Sequence, residues 1–152
     1  MATAQVTRSR EAVDHPARKM ALFAHSGTYD HLYQTVALAA SGAAMGFEVH
    51  IFLSFWALRR LAKEDADRVD VPAYAAARRE ELERGRKEAR LPPLRKMLED
   101  AKSIGPVTVY ACSTSMKLFG VTEAEARKVA DEVLGTAAFL DRAQGAEVFL
   151  FI

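Results

Sequence analysis

The chain carries a single cysteine among its 152 residues, and chemistry-bearing side chains gather around it in 106–120, PVTVYACSTSMKLFG. Val107, Thr108, Val109 and Tyr110 form a β-branched and aromatic run of strand length. Cys112 stands where that run turns polar, and Ser113, Thr114 and Ser115 after it are all residues that cap helix starts. The pattern predicts a thiol at the carboxyl end of a strand and at the N-terminus of a helix. Ligands of open α/β sheets gather at that edge, and the free N–H groups and dipole of a helix start favour a thiolate over a thiol. The same position also suits a small buried hydrophobe, because free cysteine is among the most buried residue types. One cysteine leaves no internal disulfide and no multi-cysteine zinc site, and it fits a reducing compartment.

A second group follows the first apolar run. His25 ends that run, the turn Ser26-Gly27-Thr28 comes next, and Tyr29 and Asp30 open a helix. His25 is expected on the same sheet edge as Cys112, on an adjacent strand, where it would tune the thiol or line a pocket. Asp30 reads as a first-turn acid that compensates the dipole. A metal site from His25, His31 and Cys112 can be drawn, but no ligand spacing is diagnostic, so none is assigned. The glycines form neither GxGxxG nor a P-loop, leaving nucleotide binding unsupported, although the 26–28 turn ahead of a helix suits a small anion.

The elements that must position these groups alternate regularly. Apolar runs at 19–25, 48–54, 107–110, 131–134 and 147–152 read as five strands. Helical periods separate them at 29–45, 55–61, 94–103, 122–130 and 137–143. On the first helix Leu32, Val36, Ala39, Ala40 and Ala43 mark the buried face, and Gly42 allows close approach to a sheet. Thr122 and Glu125 form a capping-box pattern. Strands alternating with helices imply a parallel, doubly wound α/β sheet with helices on both faces. Residues 1–18 read as a flexible arm ahead of one domain at 19–152. A charged helical insertion occupies about 65–91, with a helix at 73–89 pairing Glu80 with Arg84 and Glu83 with Lys87.

Half the residues are hydrophobic, 27% are charged, and the formal net charge is +1. That is the balance of a globular domain rather than a disordered or nucleic-acid-coating chain. Acidic residues alternate with the arginines of the insertion and cancel a basic field. No secretory h-region is visible, and the longest apolar stretch, 32–58, is broken by Gly42, Gly46, Glu48 and His50. The expectation is therefore a cytoplasmic protein with no membrane span and no nucleic-acid partner.

Several segments, in order, look familiar together. They are Ser26-Gly27-Thr28-Tyr29-Asp30 after the first strand, then Ala43-Ala44-Met45-Gly46-Phe47-Glu48-Val49, then Phe52-Leu53-Ser54-Phe55-Trp56-Ala57-Leu58. Tyr110-Ala111-Cys112-Ser113-Thr114-Ser115-Met116 and the closing Phe149-Leu150-Phe151-Ile152 complete the set. From about residue 19 onward the chain resembles the DsrE/DsrF-like family of sulfur-relay proteins, in its DsrE-type branch named after peroxiredoxins. It departs from that branch in the charged middle and in Ala57, where relatives often carry glycine.

The resemblance implies a single-domain flavodoxin-like sheet of order 2-1-3-4-5 and assembly into homotrimers or homohexamers. It also implies a place in sulfur trafficking with TusA-like or rhodanese-like donor and acceptor proteins. Cys112 would carry sulfane sulfur as a persulfide and pass it to a partner thiol, with no cofactor. Backbone N–H groups of Ser113 to Met116 would stabilise charge on the terminal sulfur, with Ser113 and Ser115 hydroxyls beside it. His25, Ser26, Gly27 and Tyr29 would complete the pocket. Peroxidase chemistry is a poor fit, because thiol peroxidases place a threonine three residues before the cysteine and Val109 stands there. A non-catalytic oligomeric module of the same fold, binding a small anion or metabolite, is the competing expectation. A third is a regulatory subunit whose charged helix is the partner surface.

Overall fold

The computed structural model describes residues 18–63 and 66–152, so the expected arm lies, except for Arg18, outside the described residues. Five strands form one sheet: β1 (Lys19–Ala24), β2 (Glu48–Leu53), β3 (Val107–Cys112), β4 (Glu132–Leu134) and β5 (Val148–Phe151). All four pairings are parallel. The helices are α1 (Tyr29–Ala44), α2 (Phe55–Lys63), α3 (Arg79–Glu88), α4 (Leu94–Ile104), α5 (Ser113–Phe119), α6 (Glu123–Ala126) and α7 (Thr136–Arg142).

The three central strands are largely apolar on both sides, as parallel strands covered twice tend to be. On one side Leu22, Ile51 and Val109 pack with Leu32 and Val36 of α1, Leu58 and Leu61 of α2, and Leu94 and Leu98 of α4 in the larger core. Gly42 lets α1 come down on this side: a Cβ there would stand 2.8 Å from Met20 Sδ and 3.1 Å from Val49 Cγ2. The opposite side carries a smaller core of Ala21, Phe52, Tyr110, Cys112, Phe139 and Ala143. Phe139 of α7 is its centre, stacked on Phe52 with centroids 4.7 Å apart and edge-on to Phe23 and Tyr110 at 5.9 and 6.0 Å.

The strand order is β4-β3-β2-β1-β5. This corrects the expected order 2-1-3-4-5, and the flavodoxin-like strand arrangement does not form. The cause lies in where the connections pack. The long 54–106 connection returns through α4 in the same core as α1, which seats β3 beside β2 (Val49 opposite Val107) rather than beside β1. The free edge of β1 is then closed by β5, guided by an ion pair from Arg18 Nε to Glu147 Oε2 at 3.0 Å and by Glu147 N–H donating to Lys19 O at 2.9 Å.

The insertion differs in detail from the single helix expected at 73–89. Residues Ala73–Arg78 form a 3-10 turn after Pro72, and only Arg79–Glu88 is α-helical. Its ion pairs are Arg78–Glu81 and Arg84–Glu88, with Arg86 reaching Asp67 and Arg79 reaching Asp70. Neither helical piece has a buried residue, consistent with a solvated face. At 122–126 the capping box is present, with Thr122 and Glu125 bonded reciprocally.

Candidate functional site

Strand β3 ends on Cys112, which is itself the N-cap of α5, with φ −70° and ψ 115°. Tyr110 and Cys112 point to the α7 side because side chains alternate along a strand. That alternation puts the sulfur in the smaller core, and Cys112 is only 4% exposed. Of the open and buried positions that the sequence left possible for the thiol, this single chain presents the buried one. Leu134 of the short edge strand β4 is its register partner, and Phe139 and Ala143 of α7 close the same apolar cluster.

A cavity of about 450 Å³ opens immediately after the cysteine. Ser113 and Met116 of α5 line it with Val121, Thr122 and Val133 of β4. Ser113 and Met116, one and four residues beyond Cys112, line this cavity at the edge of the sheet, where β4 is only three residues long, and Cys112 itself does not. Ser115 has another task. It is buried at 2% exposure, and its Oγ accepts the Phe55 N–H at 2.8 Å. Phe55 holds φ 44°, a left-handed conformation for a non-glycine residue, which costs roughly 1–2 kcal/mol. Ser115 thus fastens the strained start of α2 to α5.

The second group of expected site residues separates into three places. His25 is not beside Cys112, because β2 lies between β1 and β3; two strand spacings of about 4.8 Å each keep the backbones apart. Its Nδ1 donates to Ile152 O at 2.7 Å and its ring stacks on Phe151 with centroids 4.4 Å apart. Tyr29 belongs to the larger core, 2% exposed, with a hydroxyl that has no hydrogen-bond partner and Arg86 5.1 Å from its ring centre. Burial raises its pKa. Ser26 and Gly27 line a different cavity, against α2. His31 Nδ1 meets Thr28 Oγ1 at 2.7 Å, so the drawn His25–His31–Cys112 metal site is not assembled. Among the described residues no three histidine, cysteine or acidic side chains converge as metal ligands.

One polar cluster was not anticipated. His50 is buried beneath the α7 side of the sheet, with Nδ1 2.9 Å from Tyr110 Oη. Its Nε2 stands 3.1 Å from Glu48 Oε1, an electrostatic contact rather than an aligned hydrogen bond. Burial lowers the His50 pKa, with Glu48 pulling the other way and Lys19 and Arg142 adding to the decrease. Burial also raises the Tyr110 pKa. The sequence signal was a histidine at every-other-residue spacing from Phe52 in EVHIFLS, the face that Tyr110 and Cys112 share.

Two comparisons with known proteins bear on this geometry. A family profile described as "DsrE/DsrF/DrsH-like family" matches residues 16–87, the part of the chain from β1 through most of α3. The protein is also similar to the "Sulfur carrier protein DsrE2" of Allochromatium vinosum, 24% identical over 161 residues, covering 89% of this chain and 98% of that relative. An alignment of that extent runs past Cys112, which the family match does not reach. Among the described residues no helix is long and apolar enough to cross a membrane.

Proposed function

We propose, from the DsrE-like family that both matches support for this chain, a cytoplasmic sulfur carrier that holds sulfane sulfur as a persulfide on Cys112 and relays it to a partner thiol. The observation that carries this reading is the position of the only cysteine. It terminates β3 and stands at the N-cap position of α5, and the next residue, Ser113, lines a cavity at the carboxyl edge of the sheet.

The chemistry is an exchange without net oxidation. The Cys112 thiolate attacks the terminal sulfur of a donor persulfide; the donor S–S bond breaks and the donor leaves as a thiolate that takes up a proton. Cys112 then bears the S–SH group. An acceptor thiolate repeats the attack on that terminal sulfur and frees Cys112. With no second cysteine, the protein has no internal thiol to discharge onto, which suits exchange between molecules. TusA-like or rhodanese-like proteins are the proposed partners.

Burial of the sulfur makes local opening part of the proposal. Loading proceeds from the α7 side, which the sulfur faces, by displacement of the seven-residue α7 beside the three-residue β4. The Ser113 hydroxyl and the first N–H groups of α5 are the donors proposed for the new terminal sulfur. His25, Ser26, Gly27 and Tyr29 take no part in this step, because the strand order keeps them away. The chain is proposed to act as a homo-oligomer through the α7 side of the sheet. There Phe149 and Phe151 are 45% and 66% exposed and Leu140 faces outward from α7, an apolar set of the kind that marks interaction surfaces.

The test is a two-step transfer. The protein is charged with thiosulfate plus a rhodanese, freed of small molecules, and mixed with a reduced TusA-like acceptor. The expected result is sulfur on the acceptor in amounts that follow the charged protein, and none from Cys112→Ala. Equal transfer by the Cys112→Ala protein would contradict the proposal.

A further inference from the structure

The two edges of the sheet are unlike. β4, at one edge, is three residues long and opens on Glu132, which meets Arg142 at 3.4 Å. Shortness and charge are the usual protections of an exposed edge. β5, at the other edge, has no such charge. Among the described residues it pairs with β1 alone, and 148–152, VFLFI, holds neither a charged residue nor a proline. None of these five residues is buried. We propose that β5 pairs antiparallel with β5 of a second copy of this chain, about a twofold axis at Leu150, so that the two sheets become one. The inference rests on the homo-oligomer proposed above and names its contact; it does not need the sulfur chemistry.

The register follows from hydrogen bonds already made. Ile152 N–H donates to Phe23 O and Ile152 O accepts the His25 N–H, both at 2.8 Å, so Ile152 turns to β1. Alternate residues of a parallel ladder turn the same way. Leu150 therefore also turns to β1, while Phe149 and Phe151 direct their N–H and C=O groups to the open edge. In an antiparallel pair centred on Leu150, Phe149 of each copy stands opposite Phe151 of the other, and each such pair exchanges both of its bonds. Leu150 meets its own counterpart in a non-hydrogen-bonded pair, with Cα atoms about 4.5 Å apart.

The side chains fit the same pairing. Phe149 and Phe151 are 45% and 66% exposed on the α7 side. Phe151 is stacked on Phe23 and on His25, with centroids 4.9 and 4.4 Å away, and Phe149 lies 6.3 Å from Phe139. Each ring is thus held from within its own chain and loses little freedom when its outer face is covered. The proposed register sets the rings of the two copies directly opposite, the aromatic cross-strand pairing that stabilises sheets. On the other side Val148, Leu150 and Ile152 are half-buried, so the contact buries no charge on either side. A second copy supplies the matching apolar strand by symmetry. Five strands from each copy stay within the size that a single sheet commonly reaches, about ten strands.

Oxidative cross-linking in a Cys112→Ala background tests the register. Leu150→Cys should convert mostly to a disulfide-linked dimer, because the separation across the axis lies in the disulfide range. Phe149→Cys should stay largely unlinked, because its counterpart lies more than about 7 Å away. The wild-type chain gives a second reading that no substitution disturbs. Residue-resolved exchange of the Phe149 and Phe151 amides should slow about tenfold or more between dilute solution and the concentration at which sedimentation shows association. Equal linking of the two cysteine variants, or an unlinked Leu150→Cys with protected amides, would overturn the register. An oligomer whose Phe149 and Phe151 amides exchange as fast as in dilute solution would overturn the pairing and leave the assembly standing. A monomer at every concentration would overturn both, and protection of those amides in a monomer would mean that the edge is covered by the chain itself.

Discussion

His50 shows how a single buried side chain ties the sheet to pH. Above the ordinary histidine value of 6.5 the ring is neutral in both folded and unfolded chains. Burial depresses the folded value, so below 6.5 the unfolded chain takes up the proton more readily. The contribution to stability is therefore complete above 6.5 and is lost as pH falls through the folded value. Denaturant unfolding at about pH 7.5 and 5 should show wild type losing more stability than His50→Gln over that interval; identical losses would remove His50 as the cause. At this scale the sequence was informative about type and position but not about surroundings. Cys112 was legible as a strand-end, helix-start thiol. Whether it is open or buried stayed undecided, because nothing in PVTVYACSTS states what covers the far side of the sheet. Ser115, equally plausible as a cap or a thiol partner, proves to hold Phe55 in its left-handed turn.

Helix α7 is the element that decides access to the sulfur. It is seven residues long and fixed to the sheet chiefly through Phe139, which is fully buried against Phe52. Truncation in Phe139→Ala should cost about 3–5 kcal/mol, and it should speed alkylation of Cys112 in the native protein by roughly tenfold or more as the cover loosens. Labelling at the wild-type rate in a folded Phe139→Ala protein would mean that α7 is not the gate. Elements themselves were readable where local chemistry fixes them: α1 from its apolar stripe, α6 from the Thr122–Glu125 box, and α4 from Pro93 and its Leu94–Leu98 face. Strand order was not, because every parallel order uses the same apolar runs. The choice between β1 and β2 as the neighbour of β3 is made by α4 packing with α1, a contact between residues some sixty positions apart. The same misplacement moved His25 two strands away from Cys112.

At the scale of the whole molecule, one side of the sheet is thickly covered and the other is not. α1, α2 and α4 bury the first side, while α7 leaves Phe149 and Phe151 to solvent on the second. The proposed assembly covers these rings, and Phe151→Lys should shift sedimentation toward the monomer while leaving the far-UV signal unchanged. An unaltered oligomer, or a wild-type monomer, would dismiss that surface. The sequence named the aromatic run FLF at 149–151 as a closing strand. It did not show that this strand would lie at the edge beside β1, with its rings on the sparsely covered side.

The central claim is that sulfane sulfur resides on Cys112, and site-resolved mass spectrometry of the intact chain after exposure to polysulfide addresses it most directly. The account predicts the mass of one added sulfur on the peptide containing Cys112, removed by dithiothreitol and absent from Cys112→Ala. A peptide that stays unmodified while a free-thiol control loads fully under the same conditions would contradict it.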